Sequence, residues 1–313
     1  MHHKLEVEDG TYGLLKGPNI SKVRLGNHEM GTWYGTAVYF ARDHKTLGFK
    51  YLNGEKQSRS KSLVNQEETW LEKLYVCDWC FKYTDVEDEF LGHHARCSHR
   101  ARQPGQIRYL AADVTIRRVR GSRHKLFTQN LCLFTKMFLD NKSMFFAVDY
   151  FDFYVVYDNL TNKPMGFFSK ELLSTDRNNL ACILVFPPYQ RRHLGTLLIA
   201  FSYELSKAER LISGPEKPLS PFGLMGYLKY WSSTVARELL YGRSCAEDEI
   251  TLNALSRITG IRIDDITLTL KYMEIVKVEN NKLHVDRGCL KNWARKNKLS
   301  KAPLLQKECL LVE

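Results

Sequence analysis

No apolar stretch of this 313-residue chain approaches the roughly 18 residues of a membrane-spanning helix. The opening Met1-His2-His3-Lys4 has no apolar h-region, so no secretory signal is expected. Neither an internal repeat nor a long low-complexity tract occurs. Eight cysteines are too few, and the chain too long, for a secreted disulfide scaffold. Cys77, Cys80 and Cys97 cluster, whereas Cys132, Cys182, Cys245, Cys289 and Cys309 are scattered. This usage points to a reducing compartment, with metal binding for the cluster. Acidic residues are in deficit, 35 against 46 Lys and Arg, leaving a net charge of +11. A basic surface favours acidic partners such as nucleic acid or chromatin. An ordinary solvated surface gives the same total, so charge alone does not decide.

What remains is 44% hydrophobic and 12% aromatic, ample for a core in one large domain or two to three lobes. Residues 1–22 are polar and are expected to be poorly ordered. The run from Thr32 to Phe40 is aromatic and β-branched and reads as strand, and residues 53–68 read as a charged loop. Phe127, Leu131, Phe134 and Phe138 recur at helical spacing. Strands are expected at Met144–Val148, Phe151–Tyr157 and Met165–Ser169. Leu180–Phe186 is continuously apolar, as a central, doubly covered strand would be, and Pro187-Pro188 ends it. Leu194, Leu197, Leu198, Phe201 and Leu205 mark the buried stripe of a further helix. The pattern is α+β, a mainly antiparallel mixed sheet with helices packed on it.

Cys77-x2-Cys80, twelve further residues, then His93-x3-Cys97 form a C2HC pattern. A tight turn offers two thiols, and a helix offers His and Cys four apart on one side. Four such ligands suit tetrahedral Zn²⁺ and leave no open position, so the zinc would be structural. His94 is a competing ligand that breaks the spacing, and His99 reads as a surface residue.

After the apolar strand comes Gln190-Arg191-Arg192-His193-Leu194-Gly195-Thr196, leading into a helix. A helix N-terminus presents unpaired N–H groups and partial positive charge. Two arginines add charge-assisted donors, which makes pyrophosphate a plausible ligand. The edge of Ile183, Leu184 and Val185 offers backbone groups to an extended pantetheine arm. A basic turn before a helix often binds nothing, and only the order strand, Gln-Arg-Arg-x-x-Gly, helix makes the signal specific.

These residues resemble the MYST family of histone acetyltransferases. The resemblance is carried by the zinc segment, Leu139-Asp140-Asn141-Lys142-Ser143, Gly166-Phe167-Phe168-Ser169-Lys170-Glu171, Cys182-Ile183-Leu184, Pro187–Arg192, Phe201–Ser206, Pro215-Glu216-Lys217-Pro218-Leu219-Ser220 and Tyr230-Trp231-Ser232. It runs from about residue 23 to the last lobe. Thr32–Phe40, Thr115–Val119 and Pro221–Lys229 are most similar to the family's fungal silencing branch, which works in a SAS-type complex.

The resemblance implies a GNAT-like acetyl-CoA-binding core. Residues 23–313 would form the acetyltransferase domain: 70–100 the zinc finger, 101–245 the central core and 246–313 a C-terminal helical lobe. Glu216 would be the general base, since a lysine amine is protonated at neutral pH. Cys182 would lie near the thioester, carrying acetyl transiently or only lining the site. Lys142 would be the autoacetylated lysine. Ile183, Leu184, Val185, Gln190 to Thr196 and Ser220 would hold acetyl-CoA. Taken singly, each has a plain counterpart: Glu216 a surface ion pair with Lys217, Cys182 a small core residue, Lys142 a solvated charge, Ser220 a helix N-cap. The family usually has glycine where this chain has His193, and serine where it has Lys229. His193 is therefore expected to point outward and weaken acetyl-CoA binding somewhat.

Residues 251–285 read helix, Gly260 turn, helix, hairpin, a winged-helix pattern. Ser256, Arg257, Arg262 and Lys271 do not make a strongly basic recognition face, which favours a scaffold over sequence-specific DNA binding. The resemblance implies a nuclear role on chromatin: acetylation of a histone H4 tail lysine at position sixteen, on the nucleosome, with companion non-catalytic subunits. The alternative is a zinc-finger and winged-helix transcription regulator without catalysis; a scaffold that has lost activity is disfavoured by intact Glu216, Cys182 and Lys142.

Overall fold

A computed structural model describes residues 13–15, 17–41, 46–48, 69–140, 146–246, 250–279 and 282–311. The expected loop at 53–68 and Lys142 lie outside these residues. In chain order the first strands are β1 Leu14–Leu15, β2 Ile20–Leu25, β3 His28–Gly31, β4 Gly35–Thr36, β5 Leu71–Val76 and β6 Tyr83–Thr84. Helix α1 spans Glu87–Arg96, followed by β7 Gln106–Leu110, β8 Val114–Arg120, α2 Lys125–Lys136, β9 Phe151–Asp158, β10 Pro164–Glu171, β11 Asn178–Leu180 and β12 Cys182–Val185. Then come α3 Leu194–Ala208, β13 Gly214–Pro215, α4 Pro221–Tyr241, α5 Leu252–Thr259, α6 Ile263–Met273, β14 Val276–Glu279, β15 Lys282–Val285 and α7 Arg287–Lys296. No described helix is long and apolar enough to cross a membrane.

The fold class is the expected mixed α+β, with antiparallel pairs predominating. The largest sheet has the order β12-β10-β9-β8-β7, and a four-stranded sheet has the order β3-β2-β5-β6. Two expectations need correction. Thr32–Phe40 is not one strand: β4 covers only Gly35–Thr36, and a 3₁₀ turn follows at Ala37–Tyr39, capped by the Thr36 hydroxyl. Within Met144–Val148 the described part is not strand either, since Val148–Tyr150 forms a 3₁₀ turn. Strand structure also begins before residue 23, at β1 and at Ile20.

Contacts divide the chain into two units. The first holds residues 1–106, 117–165 and 186–188. Its four-stranded sheet pairs β2 parallel to β5, with Val23 opposite Leu74, both fully buried. The inward face of α2 meets an aromatic cluster, where Phe134 packs on Phe81, Phe138 and Phe186 with centroids 5.2–5.7 Å apart. Edge and tilted ring pairs of this kind add to the burial of large apolar surfaces. Buried Asp152 is paired with Arg118, Nη2–Oδ2 2.5 Å.

The second unit holds residues 107–116, 166–185 and 189–313. Its core is the contact of α3 with β11, β12 and α4. Leu194, Leu197, Leu198, Phe201 and Leu205 are all buried, as their spacing implies. Trp231 of α4 donates its indole N–H to the Tyr203 hydroxyl at 2.7 Å, so the largest buried side chain leaves no polar group unpaired. Helices α5 and α6 join through Gly260, whose φ of 75° closes α5 in the left-handed region that glycine enters without Cβ strain. The hairpin β14–β15 follows, completing the expected winged-helix outline.

Candidate active site and metal centre

The metal centre lies in the first unit. Strand β5 ends at Val76 and the chain turns through Cys77-Asp78-Trp79-Cys80. The turn is held by Cys77 N–H to Lys82 O and Phe81 N–H to Cys77 O, both 2.9 Å, with Phe81 at φ 61°. Helix α1 then brings back His93, and Cys97 caps its end. The ligand atoms of Cys77, Cys80, His93 and Cys97 all lie within 4.8 Å of one another, and Cys80 Sγ is 3.2 Å from His93 Nε2. Tetrahedral zinc with bonds of about 2.0–2.3 Å needs ligand separations of roughly 3.3–3.8 Å. The set therefore fits zinc and, with four protein ligands, closes it. Hydrogen bonds from Cys77 and Cys80 hold the Cys97 thiol below the ordinary thiol range, and those with Cys80 and Cys97 push Cys77 up. Burial lowers His93, which favours the neutral imidazole that a metal requires. His94 is removed from contention, because its Nε2 lies 2.8 Å from Asp78 Oδ1. His99 is not a bare surface residue; it stacks on Phe127 at 5.7 Å.

The candidate active site lies in the second unit. The apolar run read as a central strand is two strands. Asn178–Leu180 pairs parallel with β13, and Cys182–Val185 pairs antiparallel with β10, from Ser169 opposite Cys182 to Gly166 opposite Val185. Strand β12 ends the five-stranded order, so it is not central. Cys182, Ile183 and Val185 are half-buried, and only Leu184 is fully covered. Burial of both faces and partial cover of an edge both demand apolar residues, which is why the pattern did not separate them. A side chain at Gly166 would meet the Leu184 carbonyl at 2.7 Å, so the close β10–β12 approach requires glycine there.

The turn after β12 is built from its own side chains. Gln190 donates its carboxamide N–H to the Val185 carbonyl at 3.1 Å. Arg191 and His193 both adopt the left-handed region, φ 64° and 60°, at about 1–2 kcal/mol each for a residue with a Cβ. Their side chains and that of Arg192 are exposed. His193 is the N-cap of α3 but makes no side-chain capping bond. The first-turn N–H groups, at Leu194, Gly195 and Thr196, thus have neither an intrahelical partner nor a cap from His193. Leu194 itself is buried, and Gly195 and Thr196 are half-buried. His193 does point outward, and Lys229 Nζ lies 3.4 Å from its Nδ1. Ser220 caps α4, its Oγ accepting from Gly223 N–H at 3.1 Å, with Pro221 in the first turn.

Glu216 follows β13 directly. Its N–H donates to the Leu180 carbonyl at 2.9 Å, which fixes its backbone two residues from Cys182, and its side chain is exposed. Lys217 pairs with Asp265 of α6, Nζ–Oδ1 2.8 Å, and the Asp265 side chain is wholly buried. Arg262, the N-cap of α6, donates to the carbonyl of Asp176 at 2.7 Å, to Asn178 Oδ1 at 2.9 Å and to the Pro215 carbonyl at 3.4 Å. Two residues at the start of one helix therefore clamp the β11–β13 pair on either side of Glu216. Sequence reasoning missed this, listing Arg262 only as a face residue of the helix-turn-helix and Asp265 not at all.

Residues 102–310 match the MOZ/SAS family. The chain is 51% identical over 299 residues to histone acetyltransferase SAS2 of Saccharomyces cerevisiae, covering 93% of this chain and 87% of that protein. It is 38% identical over 273 residues to histone acetyltransferase MOF of Drosophila melanogaster, covering 87% of this chain but 30% of that protein. A third relative, the Tip60 homolog histone acetyltransferase of Caenorhabditis elegans, is 38% identical over 215 residues, 68% of this chain and 47% of that protein. The C2HC cluster, the edge strand with its arginine turn and the carboxylate beside it thus accompany similarity along nearly the whole chain, and the chain belongs to the MOZ/SAS, or MYST, family.

Proposed function

We propose that this protein is a histone lysine N-acetyltransferase using acetyl-CoA, with Glu216 as general base and Cys182 beside the reacting thioester. The carrying observation is the hydrogen bond from Glu216 N–H to the Leu180 carbonyl, which ties the backbone of Glu216, whose side chain is exposed, to the residue two before Cys182. The edge of β12 offers main-chain groups to the pantetheine arm through Ile183, Leu184 and Val185. The first-turn N–H groups of α3, with Arg191 and Arg192, supply donors and positive charge for the pyrophosphate. Gln190 contributes by fixing the turn against Val185, and Ser220 by starting α4. Glu216 takes a proton from the substrate ammonium, the freed amine attacks the thioester carbonyl, the C–S bond breaks as the acetyl group passes to nitrogen, and the proton remaining in excess on nitrogen goes to the departing coenzyme thiolate. Lys142 is the proposed autoacetylation position. Zinc at Cys77, Cys80, His93 and Cys97 would hold the first unit's turn and helix together and take no part in the transfer.

The proposed substrate is the histone H4 tail on the nucleosome, at the lysine of tail position sixteen, in the nucleus. The proposed setting is a silencing complex of the SAS type with companion subunits. Support comes from the high identity to a relative named for that class and from the fungal-branch segments. The DNA-binding regulator reading is weaker, because Arg262, one of the few cations on the helix-turn-helix, is committed to Asp176, Asn178 and Pro215. Incubation with labelled acetyl-CoA and nucleosomes, with and without companion subunits, tests the proposal. Label on the H4 tail at position sixteen is expected, and absence of label on every histone would overturn it.

A further inference from the structure

Residues 287–307 contain seven cations, Arg287, Lys291, Arg295, Lys296, Lys298, Lys301 and Lys307, and no Asp or Glu. They supply seven of the whole-chain excess of eleven positive charges. All seven are exposed. The segment is firmly built. Asp286 caps α7, its Oδ1 accepting from Cys289 N–H at 2.9 Å, and Leu290 is buried against the body with Trp293 and Ala294 half-covered beside it. Beyond the helix, Arg237 of α4 donates to the Ser300 carbonyl at 3.0 Å, and Leu305 is buried. Residues four apart share a helix face, so Arg287, Lys291 and Arg295 line one flank of α7, and Lys298 continues past its end. Cations in a last turn are commonly explained by the helix dipole. That explanation covers Arg295 and Lys296 but not a stripe beginning at the first residue and continuing beyond the last.

We propose that this stripe docks on the phosphate backbone of duplex DNA, without sequence preference. The inference rests on the acetyltransferase reading, since it assigns the DNA to the nucleosome that carries the tail. It is separate from the helix-turn-helix, whose face is sparsely charged. A line of exposed cations on an anchored helix can neutralise successive phosphates and release their counterions on binding. Contacts to phosphate fix position and orientation and carry no sequence information, so the stripe positions the enzyme and does not select a sequence.

The test uses the full chain and a 30-base-pair duplex of arbitrary sequence, with affinity measured across a salt series. The triple variant Lys291→Gln, Arg295→Gln, Lys298→Gln is compared with wild type, and Lys291→Arg with Lys298→Arg serves as the charge-preserving control. The wild type is expected to bind with steep salt dependence. Each lost phosphate contact flattens the log–log slope by about 1, so the triple variant should lose about 2–3 units of slope and bind roughly ten- to a hundredfold more weakly at 0.15 M salt. The control should match wild type. Acetylation of a free H4 tail peptide should be equal in all three, while acetylation of nucleosomes falls in the triple variant through a higher KM. Equal duplex affinity and slope in wild type and triple variant would overturn the proposal, as would absence of duplex binding by wild type. Failure of the acetyltransferase reading looks different: the peptide is left unlabelled by wild type whatever the duplex result.

Discussion

His193 occupies a left-handed conformation at the helix start where the coenzyme phosphates are proposed to sit. The proposed cost is that a Cβ at this left-handed position keeps a phosphate oxygen away from the Leu194 N–H, as glycine would not. His193→Gly is therefore expected to tighten acetyl-CoA binding severalfold, as measured by calorimetry; unchanged affinity would show that approach is not limiting. Stability should rise by about 1.5 kcal/mol or less. Relief of left-handed strain, about 1–2 kcal/mol, is opposed by about 0.5–1 kcal/mol from the freer unfolded glycine. Cys182 offers a second measurement. If the thiol only lines the site, Cys182→Ala should keep transfer within about tenfold of wild type; if it carries acetyl, loss should reach the 10²–10⁴-fold typical of a removed catalytic group. Rapid quench with labelled acetyl-CoA, looking for acid-stable protein label at Cys182, separates the two.

At the scale of elements, the clamp on β11 and β13 gives an asymmetric prediction. Asp265 is wholly buried while Lys217 is half-exposed. Lys217→Met strands a buried carboxylate and should cost about 1–3 kcal/mol, less than a fully buried pair because water still reaches the lysine. Asp265→Asn lets Lys217 turn to water, keeps a polar group of the same shape and should cost less. Urea denaturation orders the two; equal or reversed costs would contradict the argument. Some elements are legible in the local sequence and others are not. The Phe127–Phe134 stripe marks the covered side of α2, and the Leu194–Leu205 stripe marks α3, which is buried on nearly every side, Leu197 to Tyr203 without a break. The C2HC spacing specified a turn and a helix, and the four ligand atoms do converge. Leu180–Phe186 was misjudged because apolarity reports burial and not sheet position. The Arg262 contacts with Asp176 and Asn178 span 86 and 84 residues, and no local pattern announces a partner at that distance.

For the molecule as a whole, metal content and chemistry are separable. Purified protein should carry one zinc, and Cys97→Ser should lose it, with a lowered thermal midpoint, since ligand loss removes folding free energy along with the ion. A zinc-free wild type of unchanged midpoint would exclude a structural metal. The family was legible from motif order along the chain. The residues that hold the β11–β13 pair in the second unit, Arg262, Asp265 and Lys217, are not legible in the sequence, because each brings an ordinary charged side chain to a contact made by folding. The central claim is that Glu216 removes the proton that keeps the substrate amine inert. Its most direct test is the rate of H4 tail peptide acetylation by Glu216→Gln from pH 6 to 10, with acetyl-CoA affinity measured in parallel. The account expects intact cofactor binding, a rate at pH 7 lower by about 10²–10⁴-fold, and a rise with pH as the amine, with its reference pKa near 10.4, deprotonates unaided. A variant with the wild-type rate and the wild-type pH profile would contradict it.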